Sequence, residues 1–220
     1  MQITHLGQSC LLLEAAGVRV LVDPGAFAPA AADLRELDAI VVTHSHIDHL
    51  DPATFPGIVA NNPAAAVLAE ASVAEDLRGK EIEVTALRPG DSAAVGGLSL
   101  RAVGGVHAVI HEDIPLIGNV GILFSGAGEP TLFHPGDSYE VVPEITGGAV
   151  DVLGLPLVSP WAALKETVEF ARAVAAPVVV PIHDALLAPP GRGLFTSVVG
   201  GFLPAGSQLR DIAGQGAATL

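Results

Sequence analysis

The stretch Thr43-His44-Ser45-His46-Ile47-Asp48-His49-Leu50-Asp51 brings three imidazoles and two carboxylates together within nine residues. The apolar run Ala39-Ile40-Val41-Val42 precedes it and, because it is rich in β-branched residues, predicts a short buried strand. Imidazole and carboxylate groups are common protein ligands of Zn, Fe and Ni. The sequence therefore predicts a metal site where this strand ends.

The spacing of these side chains favours two metal positions. Where the chain leaves the strand and turns, His44 and His46 can point to one side while Asp48 and His49 point to the other. A polar surface loop is the alternative interpretation, and the density of ligand-type side chains argues against it.

The motif His44-x-His46-x-Asp48-His49 resembles the signature of the metallo-β-lactamase fold hydrolases. The opening Thr4-His5-Leu6-Gly7-Gln8-Ser9, with Val22-Asp23-Pro24, resembles their small lactonase-like branch. That branch includes the ascorbate-6-phosphate lactonases and is similar to the N-acyl-phosphatidylethanolamine phospholipases D. The resemblance covers nearly the whole chain and implies an α/β fold, a four-layer αββα sandwich in which two mixed sheets are flanked by helices.

Length and composition are consistent with one metallo-hydrolase domain over residues 1–220. Half of the residues are hydrophobic, yet no stretch of about 18 apolar residues lacks a charge, Pro or Gly, so we expect no membrane partner. The N-terminus does not have the pattern of a secretory signal, and the one cysteine, Cys10, cannot form an internal disulfide. We therefore expect a cytoplasmic protein with Cys10 in its core.

The formal net charge of −14 limits the choice of partners. Only 10 Lys and Arg residues are present and they are spread thinly, so no basic patch could hold a nucleic-acid backbone or an anionic membrane. A chain this short leaves little for an added lid or exosite, which favours a small-molecule substrate. Oligomeric state cannot be read from the sequence, and a homo-oligomer stays open.

The remaining ligands are implied by the resemblance. It implies that a histidine after a central strand completes the first metal site with His44 and His46, and His107 fits this position, with His111 as the alternative. Asp137, in Gly136-Asp137-Ser138, corresponds to the carboxylate that bridges both metals, and His183 to the last ligand. The full expected set of metal ligands is His44, His46, Asp48, His49, His107, Asp137 and His183.

Further residues have weaker expectations. The resemblance implies that Asp23 orients a ligand imidazole, although a turn-capping role is the alternative. His134 is expected to support the site or the fold, and Trp161 to form either a pocket wall or core. Ser159-Pro160 predicts a helix from about Trp161 to Val174. Beyond Leu186 we expect a loop, a helix around 195–202 and a frayed tail.

A carboxylate-bridged pair of metals lowers the pKa of bound water from about 15.7 towards about 7, which makes a hydrolytic nucleophile at neutral pH. The prediction is therefore a dinuclear hydrolase acting on a small ester, lactone or phosphodiester, with Asp48 and Asp137 as catalytic carboxylates. Two Zn2+ per chain are expected, and Mn2+, Fe or Ni2+ are alternatives because the ligand set contains no Cys.

Two other functions stay open. One is an iron-dependent redox enzyme of the same fold, and the other is a metal-binding protein without catalysis. For a phosphorylated lactone, a nearby Arg or Lys would be needed, and Arg192, on the loop past His183, is a candidate.

Overall fold

The computed structural model describes residues 1–220 and contains two seven-stranded sheets packed face to face. The first six strands all belong to one sheet. They are β1 (Gln2–Gly7), β2 (Cys10–Ala15), β3 (Val18–Val22), β4 (Ala39–Val42), β5 (Ala66–Glu70) and β6 (Thr85–Leu87). β1, β2 and β3 form an antiparallel meander, and β3, β4, β5 and β6 run parallel.

The second sheet repeats this plan with the next seven strands. They are β7 (Ser92–Val95), β8 (Leu98–Val103), β9 (Gly121–Gly126), β10 (Leu132–His134), β11 (Val152–Pro156), β12 (Val178–Ile182) and β13 (Gln208–Leu209). β7 to β10 are antiparallel neighbours, and β10 to β13 are parallel. A last strand, β14 (Ala218–Thr219), returns to the first sheet beside β1.

Four helices cover the outer faces. They are α1 (Phe55–Asn61), α2 (Ala71–Arg78), α3 (Leu164–Val174) and α4 (Pro189–Phe202). Buried residues of α1 and α2 pack on the first sheet, and those of α3 and α4 pack on the second. The expected two mixed sheets flanked by helices are therefore confirmed. The longest helix, α4, has 14 residues, and no helix is long and apolar enough to span a bilayer.

The apolar run at β4 is buried on both of its faces. Ala39 and Val41 contribute to the core between the sheets, whereas Ile40 and Val42 belong to the core under α1 and α2. A strand covered on both faces needs apolar residues at every position, which is why this run does not alternate with polar residues. The histidine-rich stretch then begins as soon as the chain leaves the core.

Three predictions about the second half of the chain differ from the structure. The helix expected from Trp161 begins at Leu164, because the Glu166 carboxylate accepts the amide of Ala163 at 2.6 Å and caps the helix there. The expected frayed tail is instead partly paired, since it contributes β13 and β14. The last helix also starts earlier than expected, at Pro189.

Candidate metal centre

All seven predicted site residues lie together at one rim of the two sheets. His44, His46, Asp48 and His49 follow β4, His107 follows β8, Asp137 follows β10 and His183 follows β12. The loop after β4 is tightly wound, because the amides of His49 and Leu50 both donate to the carbonyl of His46, at 2.9 and 2.8 Å. Because of this turn, the short stretch after β4 directs side chains to both sides of the loop.

The seven residues separate into two clusters. In the first, His44, His46, His107 and Asp137 offer one ligand atom each, and these atoms lie within 4.8 Å of one another. Asp48, His49 and His183 form the second by the same measure. Of the two histidines considered for the first cluster, His107 is buried within it, while His111 is exposed and accepts the amide of Asp113 on Nδ1.

Asp137 lies between the clusters and turns one oxygen toward each. Its Oδ1 is 3.1 Å from His49 Nε2 and 3.3 Å from His183 Nε2. Its Oδ2 is 3.4 Å from His107 Nε2 and 3.9 Å from His44 Nε2. A carboxylate in this position can bind two cations at once.

The turn that carries Asp137 is fixed by two neighbours. Gly136 has φ +61°, and a Cβ there would collide with Asn119 and Thr43, so the position requires glycine. The side-chain oxygen of Asn119 accepts the amide of Asp137 at 2.9 Å, and its nitrogen donates to the carbonyl of Pro135 at 3.0 Å. The carboxylate is thus held before any ligand arrives.

Several polar atoms of the clusters are buried without a hydrogen-bond partner. They are Nε2 of His44, His49, His107 and His183, and Oδ1 of Asp137. Nearly all buried polar groups in proteins have partners, and a missing one costs roughly 1–3 kcal/mol. Five such atoms that converge on one place are the donor set that divalent cations bind, so these residues fit a metal pair.

In His107 and His183 the other ring nitrogen, Nδ1, contacts a backbone carbonyl, and this contact orients the ring. Nδ1 of His107 lies 2.6 Å from the carbonyl of Ala108, and Nδ1 of His183 lies 2.6 Å from the carbonyl of Val158. Because a carbonyl only accepts, each Nδ1 carries a proton, and Nε2 is the nitrogen that can bind a cation when it carries no proton. His183 also has φ +54°, a conformation that costs roughly 1–2 kcal/mol for a side chain with a Cβ.

Asp23 orients His49 directly and His44 through Thr43. Its Oδ2 lies 2.7 Å from Nδ1 of His49 and accepts the hydroxyl of Thr43 at 2.7 Å, while Oδ1 accepts the amide of Thr43 at 2.8 Å. The same Thr43 hydroxyl oxygen lies 3.1 Å from Nδ1 of His44. The orienting role implied for Asp23 is thus borne out by its geometry, and it reaches both clusters.

Sequence reasoning assigned no role to Gln8, although it lies in the opening motif. Its Nε2 donates to Asp48 Oδ2 at 2.8 Å, and its Oε1 accepts the amide of Ala185 at 3.0 Å. The carbonyl of Gln8 also accepts the amide of His183 at 2.8 Å. Gln8 therefore joins the first sheet's rim to the loop that carries His183.

The charges of the centre stabilise one another. Burial raises the pKa of Asp48, but the facing imidazoles of His183 and His49 outweigh it and lower the pKa to about 2. Burial likewise raises the pKa of Asp137, while His49, His107 and His183 bring it well below its usual value. Both carboxylates are therefore ionised at neutral pH, as metal binding requires.

Trp161 makes a contact that the sequence did not reveal. Its indole Nε1 donates to Asp137 Oδ2 at 3.0 Å, and its ring centroid is 6.2 Å from that of His107. His134 is fully buried, with Nε2 2.8 Å from the carbonyl of Ser9 and Nδ1 accepting the amide of Gly136 at 3.2 Å. Both of its nitrogens are satisfied, so His134 supports the turn rather than offering a ligand atom.

Arg192 is not free to bind a substrate anion. Its Nε donates to Asp184 at 2.6 Å, and its two terminal nitrogens donate to the carboxylate of Asp211. Two carboxylates thus neutralise this guanidinium and tie α4 to the residue after His183. The predicted candidate for a phosphate contact is occupied by the protein itself.

Comparison with known proteins identifies the family. Residues 2–183 match the family model described as a β-lactamase superfamily domain, which is most of the chain. The chain belongs to the β-lactamase superfamily. The expected relationship to metallo-β-lactamase fold hydrolases is thereby confirmed.

Relatives of this β-lactamase superfamily protein are found in bacteria and archaea. Protein Rv0786c of Mycobacterium tuberculosis is 42% identical over 196 residues, which cover 89% of each chain. A UPF0173 metal-dependent hydrolase of Methanospirillum hungatei is 31% identical over 193 residues, covering 83% of this chain and 82% of the relative. At this degree of similarity, the chain also belongs to the UPF0173 metal-dependent hydrolase family.

A solved structure shows the same fold at lower identity. Igni18, a metallo hydrolase from the archaeon Ignicoccus hospitalis, superimposes with a TM-score of 0.75 at 19% sequence identity. The match covers all of this superfamily member and 98% of Igni18. The architecture is therefore shared over the whole chain.

Proposed function

We propose that this chain is a hydrolase that cleaves a small ester or lactone with the help of two divalent cations. One cation would be bound by His44, His46 and His107, the other by Asp48, His49 and His183, with Asp137 between them. The observation that carries the proposal is the set of buried, unpartnered Nε2 atoms facing the two oxygens of Asp137.

Cations bound there would lower the pKa of a water molecule to about 7 and polarise the oxygen of a carbonyl group. The protein's own groups prepare the site for this chemistry. Asp137 and Asp48 supply negative charge, and Asp23 holds His49 in place. Because its pKa is lowered to about 2, Asp48 is ionised at neutral pH and would serve as a metal ligand rather than as an acid for the leaving group.

The charge around the centre favours an uncharged substrate. Arg192 is paired with two carboxylates, and the chain carries a formal charge of −14. The remote phosphate of a phosphorylated lactone would find no free Arg, because Arg192 is already paired. A phosphodiester would be neutralised by the two cations once bound, but its charge would be repelled by the acidic protein during approach. We therefore place neutral esters and lactones ahead of phosphodiesters, and polymers such as nucleic acids last.

We propose Zn2+ as the resident ion, two per chain. A set of imidazoles and carboxylates without thiolates also accepts Mn2+, Fe and Ni2+, so the ligands alone do not choose among them. Metal analysis of protein purified without added metal makes the choice. About two Zn2+ per chain supports the proposal, whereas iron would favour a redox enzyme.

The decisive experiment is a hydrolysis screen of the metal-loaded protein against lactones, carboxylic esters, thioesters and phosphodiesters. Asp137→Asn should lose at least about a hundredfold in kcat/KM, because the side chain that would contact both cations loses its negative charge. Asp113→Asn, an identical change on the exposed loop beyond His107, should keep full activity. A rate unaffected by Asp137→Asn would refute the proposal, and metal binding without any hydrolysis would favour a binding protein.

A further inference from the structure

An apolar cleft lies against the metal centre. It has a volume of about 530 Å³ and lies between α3 and the turns that precede it. Its apolar walls include Ala108, Tyr139, Val141, Trp161, Phe170 and Ala173. Ligand sites are typically clefts of roughly this size, lined by hydrophobic and aromatic side chains.

The aromatic wall of the cleft is rigid. The rings of Tyr139 and Trp161 meet edge to face at 4.7 Å, and those of Tyr139 and Phe170 stack at 4.8 Å. The hydroxyl of Tyr139 donates to the carbonyl of Pro156 at 2.6 Å and lies 2.9 Å from the hydroxyl of Thr167. Because ring packing and the hydrogen bonds of the Tyr139 hydroxyl already fix these side chains, they lose little conformational freedom when a ligand binds.

Two lining residues also touch the metal centre. Trp161 donates to Asp137 Oδ2, and the carbonyl of Ala108 lies 2.6 Å from Nδ1 of His107. A group bound in the cleft is therefore next to the carboxylate that faces both clusters. This continuity assigns the cleft to the substrate of that centre.

The rim of the cleft is acidic. Glu166 and Glu169 line it, and both are exposed. The carboxylate of Glu166 accepts the amide of Ala163, and Arg172 reaches Glu169 at 3.6 Å in an exposed pair of a kind that is weak. No Lys or Arg is among the residues that line the cleft, so its lining carries two negative charges. An anion would be repelled from this entrance.

We propose that the cleft binds the apolar part of the substrate, an alkyl or aryl group without negative charge. The assignment to a substrate rests on the proposed hydrolase function, whereas binding of an apolar group does not. The chain would then prefer esters or lactones with a hydrophobic chain over short or acidic ones.

The only tryptophan, Trp161, reports on the cleft by its fluorescence. We would titrate metal-loaded, full-length protein with 1-hexanol, hexylammonium and hexanesulfonate, which share a chain and differ in charge. Hexanol and hexylammonium should change the Trp161 emission and hexanesulfonate should bind at least about fivefold more weakly. From butanol to hexanol the affinity should rise about fourfold per methylene. Equal binding of all three ligands, or none by any, would refute the proposal.

Three variants test whether the ligand binds in the cleft. Ala173→Phe fills it from the exposed side of α3, and should weaken hexanol binding at least about fivefold. Ala60→Phe adds the same ring on exposed α1 and is the matched control. Glu169→Lys should reduce the discrimination against hexanesulfonate. Hexanol binding that is unchanged by Ala173→Phe would overturn the assignment.

The two proposals can fail separately. If hexanol binds and Ala173→Phe blocks it while no ester or lactone is cleaved, the hydrolase proposal fails and the cleft stands. If esters are cleaved and Ala173→Phe leaves KM for a hexanoate ester unchanged, the cleft fails and the hydrolase proposal stands.

Discussion

Asp23 and His49 form a fully buried pair in which Asp23 Oδ2 lies 2.7 Å from His49 Nδ1. The contact directs His49 Nε2 toward Asp137, and removing such a partner typically costs 10–100-fold in metal affinity. We expect Asp23→Asn to weaken metal binding by about this factor, since the amide keeps the size but not the charge. Competition with a chelator of known affinity measures it.

The control for this change is a carboxylate far from the centre. Asp91 lies in an exposed turn, where it accepts the amide of Arg88 at 2.9 Å. Asp91→Asn should therefore leave metal affinity at the wild-type value. Equal affinities for both variants would show that the pair with His49 does not orient a ligand.

Metal affinity should rise with pH. Burial lowers the pKa of His183, but the carboxylates of Asp137 and Asp48 outweigh it and raise the pKa to about 9 in the metal-free protein. The protonated imidazole cannot bind a cation, so binding must release this proton. Apparent affinity should increase by up to about tenfold per pH unit up to pH 9, and a pH-sensitive dye should record the released protons. A dissociation constant that is flat from pH 6 to 9 would contradict the role of His183.

The same imidazole makes the stability of the metal-free protein depend on pH. Its folded-state pKa, about 9, lies above the unfolded value of about 6.5, so the protonated form stabilises the fold. This contribution is complete below pH 6.5 and is lost as pH rises through 9. Urea unfolding after chelation should show lower stability at pH 9 than at pH 6.5. Protein loaded with metal should not show this loss, because its His183 carries no such proton.

The sequence was most informative where local pattern and burial agree. The run of four apolar residues at β4 matches the strand because both of its faces are covered, and the ligand-rich stretch follows directly. The positions of Asp137 and His183 were expected only through the resemblance. No local pattern shows that β10 and β12 end at the same rim as β4, since that depends on how the two sheets pack.

Local signals misled where a nearby side chain competed. Ser159-Pro160 has the residue types of a helix start, yet the Glu166 carboxylate caps Ala163 and delays α3. The extra turn places Trp161 before the helix, where its indole can reach Asp137. The two-residue strand β14 is too short to show periodicity, and only its pairing with β1 defines it.

Gly25 packs against the loop that carries the first ligands. A Cβ at this position would collide with the carbonyl of Asp48 and the amide of His49, both of them backbone groups. We expect Gly25→Ala to displace this loop, lower the stability by at least about 2 kcal/mol and abolish metal binding at the second cluster. Gly57→Ala is the matched control, because nothing lies within 4 Å of a Cβ there and alanine favours a helix by roughly 0.5–1 kcal/mol. Calorimetric unfolding should therefore show a lower stability than the wild type for Gly25→Ala and a higher one for Gly57→Ala. If a metal titration shows that Gly25→Ala still binds two metals with wild-type affinity, the tight packing of this loop is disproved.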